Sequence, residues 1–172
     1  GGENSGKSNC IGGRVEAYDY MKFDQLGADS GIQTQVILHG RFHELRQALR
    51  QCSQEIQVKD TVMSDLEKVR EKHLFKNPKV EDELGKRISG TLDAAKLEMM
   101  SLLRLQKQLE AQLQEQFNLA RIIVTQQAHL GVEISIGDKT VKLSKPYGAG
   151  SFVYTLDGIQ FRPGETKIPR KK

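Results

Sequence analysis

The sequence predicts an α+β chain in which a β-solenoid-like body is interrupted by a long antiparallel pair of helices and then resumes. Three observations carry this. Short apolar runs punctuated by glycine fill residues 1–39, a three-and-four-residue apolar step fills residues 40–118, and strand-type alternation returns over residues 119–162.

In the first region Ile11-Gly12-Gly13-Arg14-Val15-Glu16-Ala17 is followed by Tyr20-Met21-Lys22-Phe23 and Leu26. Ala28-Asp29-Ser30-Gly31 then reads as a turn into the strand Ile32-Gln33-Thr34-Gln35-Val36-Ile37-Leu38. Short strands between Gly and Asp turns argue for β-structure. Their spacing suits a solenoid with one or two strands per rung.

In the second region Leu45, Leu49, Cys52, Ile56, Met63 and Leu66 mark one helical seam, broken by Lys59 and widened by Val62 and Val69. After Phe75-Lys76-Asn77-Pro78 the pattern resumes at Leu84, Ile88, Leu92, Ala95, Met99, Leu102, Leu105, Leu109, Leu113 and Phe117. Such spacing, with Glu, Lys, Gln and Arg between, indicates coiled-coil helices. Each arm extends over roughly 50–60 Å at 1.5 Å per residue. Proline cannot continue a helix interior, and the residue before it avoids the α region, so Asn77-Pro78 separates two arms of similar length. A short break of this kind favours an antiparallel hairpin. Helices exchanged between two chains satisfy the same pattern. Gly85, Ser89 and Gly90 soften the start of the second arm, because each glycine costs about 0.5–1 kcal/mol against alanine.

The third region is β-branched at Arg121-Ile122-Ile123-Val124-Thr125 and alternates with period two over Gly131-Val132-Glu133-Ile134-Ser135-Ile136-Gly137. Asp138-Lys139 reads as a turn into Thr140-Val141-Lys142-Leu143. Ser151-Phe152-Val153-Tyr154-Thr155-Leu156 and Ile159-Gln160-Phe161 flank Asp157-Gly158, a hairpin turn signal. The organisation is therefore residues 1–39 as the first part of the solenoid, 40–118 as the helical hairpin, 119–162 as strands continuing the β body, and 163–172 as a basic flexible tail. The economical arrangement lets the second β segment extend the sheet left by the first.

Composition narrows the function classes. The chain has 172 residues, enough for one sizeable core. With no Trp and 6% aromatics, that core must be largely aliphatic. Charged residues make up 28% of the chain, which suits a surface-rich protein. The net charge of +4 owes much to Lys167, Arg170, Lys171 and Lys172. Nucleic-acid binding is disfavoured, since neither RNP-type aromatics nor a basic recognition helix is present. Cys10 and Cys52 do not form a disulfide framework, and a reducing cytosol is the simpler inference. No apolar run approaches the roughly 20 residues of a membrane span, and no signal peptide is visible.

The candidate chemistry is thin. Gly1-Gly2-Glu3-Asn4-Ser5-Gly6-Lys7-Ser8 fits the phosphate-loop pattern letter by letter. That motif needs a strand before it and a helix after it, so that backbone N–H groups and a helix N-terminus surround phosphate. A strand-like run after Ile11-Gly12-Gly13 opposes it, and a polar Gly/Ser turn is the preferred reading. His39 and His43 are four apart, a spacing able to hold zinc on one helical face. No third ligand stands nearby in sequence, and His39 is placed before the helix. His73 and His129 are isolated and read as surface or turn residues. Glu81-Asp82-Glu83 sits where carboxylates favour a helix N-terminus. No catalytic residue, cofactor site or metal site is assigned, and the chain is read as non-enzymatic.

The glycine-rich strands carry a family resemblance. Ile11-Gly12-Gly13-Arg14-Val15-Glu16-Ala17, Leu26-Gly27-Ala28 and Gly31-Ile32-Gln33-Thr34 resemble a "GG-x-V-x-A" run followed by "lGs-x-x-G-v-x-T". Further on, His129-Leu130-Gly131-Val132-Glu133-Ile134-Ser135-Ile136 is similar to "y-P-G-V-x-I-x-I". Together, and in this order over nearly the whole chain, they resemble the C-terminal part of the flagellar assembly protein A (FapA) family, with Leu130 departing where the family commonly has Pro. The resemblance implies a right-handed β-helix with an inserted coiled coil and a cytoplasmic bacterial protein connected with flagellar biogenesis or its placement at the cell pole. It also implies a protein partner, such as a signalling or sugar phosphotransferase component, and no catalytic residues. The expected function is a non-enzymatic scaffold or protein-interaction domain with no small-molecule substrate and no membrane span, and homo-oligomers stay open. The alternatives are a nucleotide-binding protein using Gly1–Ser8, or a polysaccharide- or nucleic-acid-binding module using a solenoid face and the basic tail.

Overall fold

Two parallel ladders form the β body. In the computed structural model, which describes residues 8–76 and 82–170, the elements run β1 (Asn9–Cys10), β2 (Gly13–Ala17), β3 (Tyr20–Leu26), β4 (Thr34–Leu38), α1 (Phe42–Lys76), α2 (Glu83–Leu119), β5 (Arg121–Ala128), β6 (Glu133–Ile136), β7 (Lys139–Lys142), β8 (Gly150–Thr155) and β9 (Gly158–Pro163). The chain divides into two compact units, one made of Gly1–Leu45 with Gln112–Lys172, the other of Arg46–Ala111.

In the first unit the chain contributes alternately to two sheets. One has the order β1-β3-β5-β8-β9 and the other β2-β4-β6-β7. The pairs β1/β3, β3/β5, β2/β4 and β4/β6 are parallel. Each rung thus supplies one strand to each sheet, which is the two-strand version of the expected solenoid. The second β segment does extend the first: Tyr20 lies beside Arg121 and Gln35 beside Glu133, across the whole length of the helical insertion. The last strands reverse. β6/β7, β5/β8 and β8/β9 are antiparallel, and both expected hairpins form, with their two-residue turns one position earlier than read, at Gly137-Asp138 and Leu156-Asp157, so that Lys139 and Gly158 already pair in the return strands.

Register stacks like on like. Val15, Val36 and Ile134 form one column and Ala17, Leu38 and Ile136 the next. Val36, Leu38, Ile134 and Ile136 are fully buried, as are Leu26, Ile122 and Val124 opposite them in the core. Polar ladders match on the outside: Gln35 Nε2 donates to Glu133 Oε1 at 2.8 Å, and the Thr125 hydroxyl donates to Asp24 Oδ1 at 2.6 Å. Backbone pairing continues through the corner, where Gly27 N–H donates to the Cys10 carbonyl and His129 N–H to the Leu26 carbonyl. Gly27 is required there. Its φ is +74°, and a Cβ would stand 2.6 Å from Val132 Cγ2.

The core is aliphatic at its rungs but aromatic near the last strands. Phe42 stacks on Tyr154 at 4.3 Å between centroids with an interplanar angle of 19°, and Phe117 lies 5.4 Å from Phe42 and 5.5 Å from Tyr154. The Tyr154 hydroxyl donates to Asp138 Oδ1 at 2.6 Å. The first turn of α1 and the last turns of α2 are therefore part of the body's own core. After β9 the chain is tied down for a few residues, with Gly164 N–H donating to the Ala149 carbonyl and Arg121 Nη1 reaching Glu165 Oε2 at 3.1 Å.

Candidate interaction surface

The second unit pairs the two helices antiparallel within one chain. The Cys52 thiol donates to the Leu102 carbonyl at 3.4 Å, Lys59 pairs with Glu98, and Gln106 Nε2 donates to the Ser53 hydroxyl at 3.3 Å. Near the far end His73 Nε2 meets Asp82 Oδ1 at 2.7 Å. As position rises along α1 it falls along α2.

The sheltered positions keep an unbroken three-four step. On α1 they run Leu49, Cys52, Ile56, Lys59, Met63, Leu66, Arg70 and His73; on α2 they run Ile88, Leu92, Ala95, Met99, Leu102, Gln106 and Leu109. Four apolar expectations shift. Leu84, read as the first seam position of the second arm, is 53% exposed, and Val62, read with Val69 as widening the seam, is 45% exposed; Leu105 is 43% exposed, and its neighbour Gln106 occupies the seam; Val69 is 49% exposed, and Arg70 takes the sheltered position. Lys59, read as a break, is a seam member that carries its charge to Glu98 at the rim. Long side chains can do this, laying an apolar stem across the seam with the charged head in solvent.

Outside the seam, polar positions surround one groove whose walls are largely apolar. A groove of about 590 Å³ runs along the two helices, lined by Gln51, Gln54, Glu55, Val58, Lys59 and Val62 of α1 and Glu98, Ser101 and Leu102 of α2. Val58 is 64% exposed and Val62 45%. They are one helical turn apart on the same face.

The other singled-out residues fall elsewhere. The phosphate-loop candidate Gly1–Ser8 lies outside the described residues except for Ser8, which is followed by β1 rather than a helix. His39 precedes α1, with Nε2 3.4 Å from Glu16 Oε2 and its ring 6.0 Å from Tyr18, while His43 is exposed on the first turn. Among the described residues no three His, Cys, Asp or Glu side chains gather as metal ligands. His129 Nδ1 meets Asp29 Oδ1 at 3.1 Å, bridging the turns of two successive rungs. Cys10 and Cys52 are both free and buried, and burial pushes the Cys10 thiol up. Of the acidic run, Glu81 lies outside the described residues, Glu83 opens α2, and Asp82 caps it by accepting the Gly85 N–H at 2.8 Å. That N–H first, and His73 second, hold the Asp82 carboxyl below its usual range. Of the basic tail, Lys167 and Arg170 are exposed, and Lys171 and Lys172 lie outside the described residues. Among the described residues no helix is long and apolar enough to cross a membrane.

Sequence reasoning missed Arg14 and Glu16. Arg14 Nε donates to Glu16 Oε1 at 2.6 Å on the outer face of β2, and this hydrogen bond, followed by that of His39, holds the Glu16 carboxyl below its usual range. The signal was there as an alternation of charge around Val15.

No curated protein and no solved structure matches the chain. The family model described as the Flagellar Assembly Protein A beta solenoid domain does match it, over residues 3–159. That span takes in the parallel ladders, both helices and the reversed strands up to β9, so the chain belongs to the FapA β-solenoid domain family.

Proposed function

We propose that this domain is a non-enzymatic scaffold of flagellar assembly, a right-handed solenoid whose inserted coiled-coil hairpin binds a protein partner. The observation that carries the reading is the helical groove bordered by Val58, Val62 and Leu102. Two valines one turn apart, flanked by glutamines and the Lys59–Glu98 pair, suit an amphipathic helix of the partner that presents apolar anchors at i and i+4. Family membership supports the flagellar setting, and in this reading the domain works in the cytoplasm, near the flagellated pole. A signalling or sugar phosphotransferase component is the class of partner this reading names.

The test is made in a motile bacterium carrying the gene. Replacing Val58 and Val62 by Asp changes only exposed positions, so thermal unfolding stays put. The expected result is loss of one defined partner from crosslinked complexes, together with loss of swimming. Intact motility after removal of residues 41–118, with the same partners recovered, sinks the proposal.

A further inference from the structure

The middle of α2 is apolar on more sides than α1 covers. Of the nine residues 97–105, six are Leu or Met. Met99 and Leu102 lie in the seam against α1, but Leu97 is 67% exposed and Met100 50%, on the side of the helix turned away from that seam. A helix that needs only one partner keeps its far side polar. The far side of α1 does so, with Arg50, Gln54, Gln57, Thr61, Ser64 and Lys68 in succession. The far side of α2 does not.

This outer stripe keeps a three-four step of its own. Asp93, Leu97, Met100 and Arg104 stand about one turn apart along one face, all of them exposed, with Leu103 exposed beside them. Asp93 and Arg104 carry opposite charges and sit symmetrically, four residues outside Leu97 and Met100 respectively. Among the described residues neither has an ion-pair partner within the chain. The whole stripe lies inside the second unit, Arg46–Ala111.

We propose that the outer face of α2 pairs antiparallel with the same face of a second copy of this chain, about a two-fold axis between Leu97 and Met100. In that register Leu97 faces the second copy's Met100, Ala94 faces its Leu103, and Asp93 faces its Arg104, and each contact occurs twice. Charge selects this sense. A parallel pairing about an axis along the helices would set Asp93 against Asp93 and Arg104 against Arg104, and like charges facing each other across a helix pair oppose association. Met100 suits such a contact, because its unbranched thioether adapts to the leucine it meets. The interface is isologous, so it closes at two chains. It is also small, under about 1,200 Å², a size at which complexes exchange. It uses a different face from Val58 and Val62, so it does not rest on their reading as a partner site.

The experiment measures mass by sedimentation or light scattering on the 172-residue chain, from micromolar to millimolar concentration. The wild type is expected to pass from one chain to two. Asp93→Arg alone and Arg104→Asp alone each set like charges opposite one another and weaken self-association by about tenfold or more. Mixing these two variants restores a heterodimer, and the double variant Asp93→Arg/Arg104→Asp restores the homodimer. Both positions are exposed, so thermal unfolding of the dilute chain is unchanged in every variant. Hydroxyl-radical footprinting on the unaltered protein needs no variant: labelling of Leu97 and Met100 falls as concentration rises, while that of Val58 stays constant. The proposal is overturned by a wild type that keeps the mass of one chain. It is equally overturned by dimers that both single variants leave intact, or by protection that appears at Val58 instead of Leu97 and Met100, either of which would place self-association on another surface.

Discussion

Replacing Phe42 by Ala tests whether the aromatic cluster holds the β body together where the helices join it. Phe42 is 2% exposed, stacked on Tyr154 and tilted against Phe117. Truncating a buried Phe costs about 3–5 kcal/mol, from lost transfer energy and the cavity left behind. The ring pairs contribute about 0.5–1.5 kcal/mol within that loss. Collapse into the cavity is restricted because Tyr154 is held by its hydroxyl on Asp138, so the upper half of the range is expected. With a urea slope of roughly 2 kcal/mol per M, the midpoint falls by about 2 M. The probe is intrinsic tyrosine fluorescence. The chain has no Trp, and its four tyrosines, Tyr18, Tyr20, Tyr147 and Tyr154, all lie in the β unit, so the signal reports that unit alone. Leu105→Ala is the control. Leu105 is half exposed and stays within about 0.5 kcal/mol in a far-ultraviolet helix signal. A Phe42→Ala midpoint within about 0.5 M of the wild type, at unchanged slope, refutes the reasoning.

Three further outcomes follow from local geometry. Gly27→Ala and Gly31→Ala introduce the same left-handed strain, at φ +74° and +71°, but only Gly27 would meet a neighbour; each loses about 1–2 kcal/mol from strain, and Gly27→Ala loses more, read as unequal drops in melting temperature. Lys59→Leu fills a seam position and gives up a rim ion pair worth about 0–1 kcal/mol, so helix unfolding by circular dichroism shifts upward, and a downward shift contradicts the seam assignment. Because the folded Asp82 carboxyl lies below its usual range, its cap contributes above the unfolded value and is lost as pH falls through the folded one; amide protection at Gly85 and Lys86 should fall with acid, and Asp82→Asn should remove that pH dependence.

Strands, turns and helices were legible because their signals are local. The Gly and Asp turns, the two periods and the hairpin at Asp157-Gly158 all lie within a few residues of what they determine. Legibility failed where a choice depended on a partner distant in sequence. Leu105 and Gln106 compete for one seam position, and hydrophobicity favours the wrong one; the uninterrupted step from Leu102 to Leu109 decides it. Phe42, Phe117 and Tyr154 belong to three elements, and no periodicity announces that they meet. The antiparallel pairing of β8 with β5 was likewise silent until pairing partners were known.

The place of the insertion has its own physical logic. A parallel ladder requires each rung to resume beside the last, so anything inserted between β4 and β5 must return the chain to within one strand spacing of where it left. A single helix carries the chain away by 1.5 Å per residue, whereas an antiparallel pair brings it back whatever the length of its arms. The body then needs to recognise only the two ends. It does so with Phe42 just after β4 and Phe117 just before β5, in van der Waals reach of one another and of Tyr154. Gly40 serves the same closure: at φ +62°, its missing Cβ leaves room for the Phe42 ring and for the buried Gln116 amide. Arm length is thereby uncoupled from the stability of the solenoid, and the groove at Val58 and Val62 can be altered without disturbing the rungs.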